Sequence, residues 1–263
     1  MKFTRLVTCG DSFTEGMSDE VIEGHYRGWA DRLADGMSVE NPNFTYLNLA
    51  IRGKLLHQVV TDQVPRALEY VTGPDTLLVF HAGANDVLRP KYRPELVLPL
   101  YSDTVRRITS SGATVLLFTV LERTDRKGKT ADLWESRFRD FNANVRAVAA
   151  EVGAIVADAN EADLLKDRRF LADDRLHLNS MGHSRVADSL LEKIGLPFPL
   201  TCREPLPPAT PQSFREHFAS NLNWFLSFLL PWLWRRMRGR SSGDGRSAKH
   251  SVPISWKDPE SQH

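Results

Sequence analysis

The stretch Arg5-Leu6-Val7-Thr8-Cys9-Gly10-Asp11-Ser12-Phe13-Thr14-Glu15-Gly16 decides how the rest of the chain is read. Leu6-Val7-Thr8-Cys9 is a short apolar run without polar alternation, the pattern of a strand covered on both faces. Gly10 and Gly16 bracket a tight turn in which backbone N–H groups can approach a ligand. Ser12 therefore lies just past the carboxyl end of a buried strand, where open α/β sheets carry their sites.

Working outward, apolar runs alternate with helical patterns. His25 to Met37 has helical spacing, with Trp29 and Leu33 four apart, and Phe44 to Ala50 reads as a second strand. Leu55 to Val71 is predicted helical with a bend near Pro65, and Thr76 to His81 is a strongly apolar strand. Pro94 to Ser111 reads as a helix bent at Pro99, followed by a strand from Ala113 to Val120. Asp132 to Val152 is amphipathic, with Phe138, Phe141, Val145 and Val148 along one side. A fifth strand, Ala154 to Ala157, and a helix from Met181 to Ile194 complete the pattern. Such alternation predicts parallel βαβ units and an α/β fold with helices on both faces of the sheet.

The 263 residues suffice for one such domain and an appendage, and 41% hydrophobic with 25% charged residues fits a globular protein. A formal net charge of +1 leaves no overall field to recruit nucleic acid. Cys9 and Cys202 form neither a metal spacing nor a disulfide framework. Lys2 and Arg5 resemble the basic start of a signal peptide, but no apolar core follows, so a cytoplasmic protein is expected.

Four short motifs fall after strands. The turn at Ser12 exposes a hydroxyl that could be a nucleophile or simply a helix cap, and it lacks the G-x-S-x-G spacing of an α/β-hydrolase elbow. In Asn48-Leu49-Ala50-Ile51-Arg52-Gly53, Gly53 could offer its N–H to an anion or serve as a loop glycine. In Gly83-Ala84-Asn85-Asp86, the Asn85 amide could donate to a developing oxyanion, with Asp86 bracing the loop; an Asx turn is the alternative. Asp174-Arg175-Leu176-His177 sets a carboxylate three residues before an imidazole, a spacing at which one can orient the other. Asp173 and His183 are the substitutes for that pair. Arg52 and Arg89, near these motifs, read as surface charges, and Leu121 to Leu133 as a solvated loop or a lid.

The order of Gly10-Asp11-Ser12-Phe13-Thr14-Glu15-Gly16, Gly53, Gly83-Ala84-Asn85-Asp86 and Asp174-Arg175-Leu176-His177 resembles the SGNH (GDSL-like) hydrolase superfamily over residues 5–195. The resemblance implies a three-layer α/β/α flavodoxin-like sandwich with a five-stranded parallel sheet and no metal or organic cofactor. It implies Ser12 as nucleophile, His177 as base and Asp174 as its partner. The oxyanion hole would be Ser12 N–H, Gly53 N–H and the Asn85 side chain. The activity implied is hydrolysis of carboxylic (acyl) esters through an acyl-Ser12 intermediate, with a small-molecule ester as partner. Lysophospholipase, thioesterase or acyltransferase chemistry fits the same set, and a non-catalytic binding module or nucleotide-binding protein fits it less well.

Residues 1–200 are assigned to this domain and 201–212 to a proline-rich connector. The segment 213–240 is apolar up to Trp234 and then basic at Arg235, Arg236, Arg238 and Arg240. Its apolar run is too short to cross a bilayer but suits peripheral membrane contact, self-association or packing on the domain. Residues 241–263, rich in Ser, Gly and Lys, are expected to be disordered.

Overall fold

In the computed structural model, residues 3–39, 41–122, 128–161, 167–209, 214–231, 234 and 241–256 are described. β1 (Arg5–Gly10) takes the middle of the sheet, every residue after Arg5 being buried. It pairs in parallel with β4 (Thr45–Asn48) on one side and β5 (Thr76–His81) on the other. Between β1 and β4 come α1 (Ser12–Glu15), the hairpin of β2 (Val21–Ile22) and β3 (His25–Tyr26), and α2 (Gly28–Ser38). β6 (Thr114–Phe118) and β7 (Ile155–Ala157) continue the parallel sheet beyond β5.

The helices between the later strands are α3 (Leu56–Gln58), a π turn (Val59–Gln63), α4 (Val64–Leu68), α5 (Ala84–Val87), α6 (Pro94–Thr109) and α7 (Lys129–Val152). After β7 come α8 (Ser180–Lys193), α9 (Phe214–Trp224) and β8 (His250–Ser255).

The strand order is β7-β6-β5-β1-β4-β8. The five parallel strands have the doubly wound order in which the chain reverses direction across the sheet beside its first strand. That reversal opens a crevice between the carboxyl ends of β1 and β5, where Gly10 lies opposite His81. Side chains alternate between two cores, as the pleat requires. On β5, Leu78 and Phe80 pack with Val59, Tyr101, Val105, Phe141 and Val145, while Leu77 and Val79 pack with Trp29, Leu33, Val186 and Leu190.

Three expectations are corrected. Among the described residues the sheet has six strands, because β8 adds antiparallel to the outer edge of β4. The helix expected from His25 begins at Gly28, since His25 and Tyr26 pair with Val21 and Ile22. Gly28 (φ +70°) and Gly16 (φ +91°) meet backbone to backbone with no room for a Cβ on either. The third concerns the tail. Residues 241–256 are not disordered: β8 covers the sheet edge, with Tyr46 against the rings of His250 and Trp256 at 5.3 and 5.0 Å. Lys249 Nζ donates to both Asp31 oxygens and to the Arg27 carbonyl, each at 2.9 Å, in a nearly solvent-free pocket. A composition rich in Ser, Gly and Lys conceals this, because one buried ion pair and two rings do the anchoring.

Residues 257–263, Arg123 to Lys127 of the stretch read as a solvated loop or a lid, and Arg235 to Arg240 lie outside the described residues. Among the described residues, no helix is long and apolar enough to cross a membrane.

Candidate active site

The turn after β1 is built around Gly10. Its N–H donates to Gln63 Oε1 (2.8 Å) and its carbonyl accepts from Gln63 Nε2 (3.0 Å). A Cβ at this position would lie 2.5 Å from the His81 carbonyl oxygen and 2.6 Å from Thr14 Oγ1, so only glycine fits. Asp11 caps α1, accepting the Phe13 N–H at 3.2 Å, and Ser12 is the first helical residue. An N–H at the start of a helix has no intrahelical acceptor.

Ser12 Oγ lies 2.9 Å from His177 Nε2, and His177 Nδ1 lies 2.6 Å from Asp174 Oδ2. The other carboxylate oxygen of Asp174 accepts the N–H groups of Leu176 and His177, both at 2.9 Å. A proton on Nδ1 faces the carboxylate and leaves Nε2 to accept the serine hydroxyl. Burial alone would raise the Asp174 carboxyl, but the hydrogen bond and charge of His177 and the two backbone donors hold it below the ordinary carboxylate range. It is thus ionised at neutral pH, as a partner for an imidazolium must be.

Asp174 rather than Asp173 makes the bond to His177. His183 is fully buried: Nδ1 accepts the Trp29 N–H at 3.1 Å, so Nε2 carries the proton and donates to the Met17 carbonyl at 3.2 Å. Burial pushes its pKa down to about 4, and it ties the start of α8 to the first loop as a neutral group.

Asn85 stands at the mouth of the crevice on α5. Its Nδ2 donates to Asp11 Oδ2 (3.1 Å) and to the Lys54 carbonyl (3.0 Å), which aims the amide along the turn that carries Ser12. Asp86 accepts the Leu56 N–H at 2.8 Å and so braces the loop as its position suggested. Gly53 has φ +75°, and a Cβ there would overlap Ser241 Oγ. Arg52 is not a surface charge. It is buried against Glu15, which also accepts the Arg52 N–H at 2.6 Å, and its guanidinium lies over the Tyr26 ring. This ion pair locks the second motif to the first.

Several supports escaped the sequence reading. Asn48 donates to the Thr14 carbonyl (3.1 Å) and to Tyr46 Oη (2.8 Å), and Tyr46 donates to Asp31 (2.8 Å). His81 lies beneath the turn, its Nδ1 3.8 Å from Asp11, and burial raises Asp11 while lowering His81, drawing both toward neutrality. The C-terminal segment touches two of the loops. Trp224 Nε1 donates to the Asp174 carbonyl (2.8 Å), and Arg175 donates to Asn221 (2.7 Å) and Ser220 (2.9 Å). Arg175 itself has φ +58°, a left-handed conformation unusual for a residue with a side chain. No sequence signal links residues so far apart; the bonds exist only because the fold brings α9 back. Among the described residues, no group of three His, Cys, Asp or Glu side chains is placed to hold a metal ion.

A hydroxyl, an imidazole and a carboxylate in hydrogen-bonded line at the switch point of a doubly wound sheet is the arrangement found in hydrolases that use a side-chain nucleophile. The model of the GDSL-like Lipase/Acylhydrolase family matches residues 8–185, and the chain belongs to that family; it is an ester-hydrolysing enzyme. No curated protein matches it. Solved structures share its fold at low identity. One is LAE5, an alpha/beta hydrolase enzyme from the metagenome of Lake Arreo, Spain, with TM-score 0.59 and 20% identity over 73% of this chain and 95% of that one. Another is a catalytic mutant of Axe2, an acetylxylan esterase from Geobacillus stearothermophilus, with TM-score 0.59 and 18% identity over 74% and 97%. A third is the psychrotrophic esterase EstA from Pseudoalteromonas sp., inhibited by monoethylphosphonate, with TM-score 0.55 and 16% identity over 73% and 97%.

Proposed function

We propose that this enzyme cleaves carboxylic esters of small molecules through an acyl-Ser12 intermediate. The reading is carried by the continuous line of hydrogen bonds from Ser12 through His177 to Asp174. Ser12 Oγ attacks the ester carbonyl carbon while His177 Nε2 takes its proton. The tetrahedral oxyanion is met by the Ser12 and Gly53 N–H groups and by Asn85 Nδ2, which exchanges one of its present acceptors for the oxyanion. His177 returns the proton to the departing alcohol, leaving the acyl group on Ser12. A water deprotonated by His177 then attacks the acyl carbon, and the carboxylic acid leaves as Ser12 recovers its proton. Asp174 stays ionised throughout and holds the imidazole in the working tautomer.

The test is p-nitrophenyl ester hydrolysis across acyl lengths, beside Ser12→Ala and His177→Ala, with mass spectrometry after treatment with a phosphonate inhibitor. Loss of turnover by about 10⁴-fold or more in both variants, and a phosphonyl adduct on Ser12, are expected. Retained turnover in a folded Ser12→Ala protein would remove Ser12 as nucleophile. An inert wild type would leave a binding role for the pocket.

A further inference from the structure

α9 meets the domain at the turn that carries Asp174 and His177. The turn is closed at its base, where the Ala172 N–H donates to the His177 carbonyl at 2.8 Å and the Arg175 N–H to the Ala172 carbonyl at 2.9 Å. At its tip Arg175 has φ +58°, a left-handed conformation that a residue with a side chain keeps only where its surroundings impose it. Leu176 beside it is 57% exposed, so that side gives the turn little packing. The support comes from α9. Ser220, Asn221 and Trp224 share one side of the helix, Trp224 lying four and three residues beyond the other two. Asn221 Oδ1 and Ser220 Oγ accept from the Arg175 guanidinium at 2.7 and 2.9 Å, and the guanidinium lies 5.3 Å from the centre of the Trp224 ring. Trp224 Nε1 donates to the Asp174 carbonyl at 2.8 Å.

These bonds grip both sides of one rotatable bond. Trp224 fixes the peptide plane between Asp174 and Arg175, while Asn221, Ser220 and the indole ring fix the Arg175 side chain. Between the two lies the Arg175 N–Cα bond, whose rotation is φ. The next two N–H groups along the chain, of Leu176 and His177, both reach the same Asp174 oxygen at 2.9 Å. Rotation of Arg175 out of the left-handed region would swing them off that oxygen. It would also turn the His177 ring out of its place between Asp174 Oδ2 and Ser12 Oγ. An arginine that merely tethered α9 would have no reason to stand at the one position of this turn where a side chain is conformationally costly.

We propose that α9 is a positioning element of the active site: through Trp224 and Arg175 it holds the turn in the left-handed conformation that lines up Asp174, His177 and Ser12. Neither Trp224 nor Arg175 acts on the ester; both act through Asp174. The effect on turnover rests on the ester-cleaving reading, whereas the hold on the His177–Asp174 bond does not.

The test is steady-state hydrolysis of p-nitrophenyl acetate by full-length variants. In the same proteins the His177 Nδ1 proton is followed by NMR, assigned by its loss in His177→Gln. Trp224→Ala should lower kcat by roughly tenfold with KM nearly constant, and should weaken the Nδ1 proton signal. Trp224→Phe keeps a ring beside Arg175 but loses the N–H, and should fall between Trp224→Ala and the wild type. Adding Arg175→Gly to Trp224→Ala should recover most of the lost kcat and signal, since glycine takes a positive φ without support. By the same logic Arg175→Gly should exceed Arg175→Ala several-fold in kcat, although both lack the guanidinium. This pair leaves α9 unaltered and decides the matter if Trp224→Ala does not fold. Unaltered kcat in Trp224→Ala, a change in KM alone, no rescue by glycine, or equal activity of the two Arg175 variants would overturn the proposal, because α9 would then only pack. A wild type inactive on every soluble ester, whose Nδ1 signal fades in Trp224→Ala and returns with Arg175→Gly, would uphold the positioning and remove the ester-cleaving reading.

Discussion

In the proposed mechanism His177 works as a base only while Asp174 accepts the proton on Nδ1, and Asp174 is shaped for that by four bonds. Two come from backbone N–H groups, one from His177, and the fourth, at its carbonyl, from Trp224. Replacing Asp174 with Asn presents a donor to Nδ1 and favours the wrong tautomer. Turnover should fall by about 10⁴-fold with the thermal midpoint little changed, as steady-state kinetics and circular dichroism would show. On the proposed mechanism Asn85→Ala removes one oxyanion donor and should cost about 3 kcal/mol of transition-state stabilisation, read as a loss in kcat with KM nearly constant. At this scale the sequence is most legible, because the hydroxyl, imidazole and carboxylate that the fold brings together are picked out by chemical type and order. Gln63 and His81 were not legible. Their importance comes from touching Gly10 and Asp11 across the sheet, and glutamine in a helix carries no mark of that.

Between elements, the decisive contacts are close approaches of backbone. A Cβ on Gly243 would overlap the Arg52 carbonyl oxygen and sit 3.2 Å from Ile51 Cγ2. Gly243→Ala should therefore push the second motif away from Ser12 and lower kcat, while p-nitrophenyl ester hydrolysis in Ala248→Ser, a substitution on the same segment outside this contact, stays near wild type. Lys249 anchors β8 by an ion pair buried against Asp31. Lys249→Ala leaves that carboxylate without its cation and should cost about 3 kcal/mol, measured by urea unfolding at neutral pH. The parallel strands and long helices were legible because their apolar periods are strong. β8 was not, since His250-Ser251-Val252-Pro253-Ile254-Ser255 has one proline and little alternation. As an edge strand it tolerates Pro253, whose missing N–H is no loss on the outer side of a sheet.

Across the whole molecule, buried histidines make stability depend on pH. His183 is held to about 4 by burial, against 6.5 for an exposed imidazole. Between these values the unfolded chain binds a proton that the native chain does not, so acidification from 6.5 toward 4 favours unfolding. His250 is shifted in the same direction for the same reason. Asp31, raised by burial, acts in the opposite sense, so the His183 contribution is best isolated by difference. The stability gap between wild type and His183→Gln should narrow by about 2 kcal/mol from pH 7 to pH 5 in urea titrations. Equal gaps at both values would show that His183 takes its proton freely inside the fold. The doubly wound order was legible at this scale; the return of the chain from α9 to the far sheet edge was not, because it depends on contacts between residues some two hundred positions apart. That return also sets an order of assembly. Domains begin to fold from the amino end as they are synthesised, yet here the Gly53 loop is seated by Ser241 and Gly243, and the edge of β4 is closed only by β8. Ser12 is therefore synthesised well before Ser241 and Gly243, and the Gly53 loop gains its seat only once those two residues have emerged.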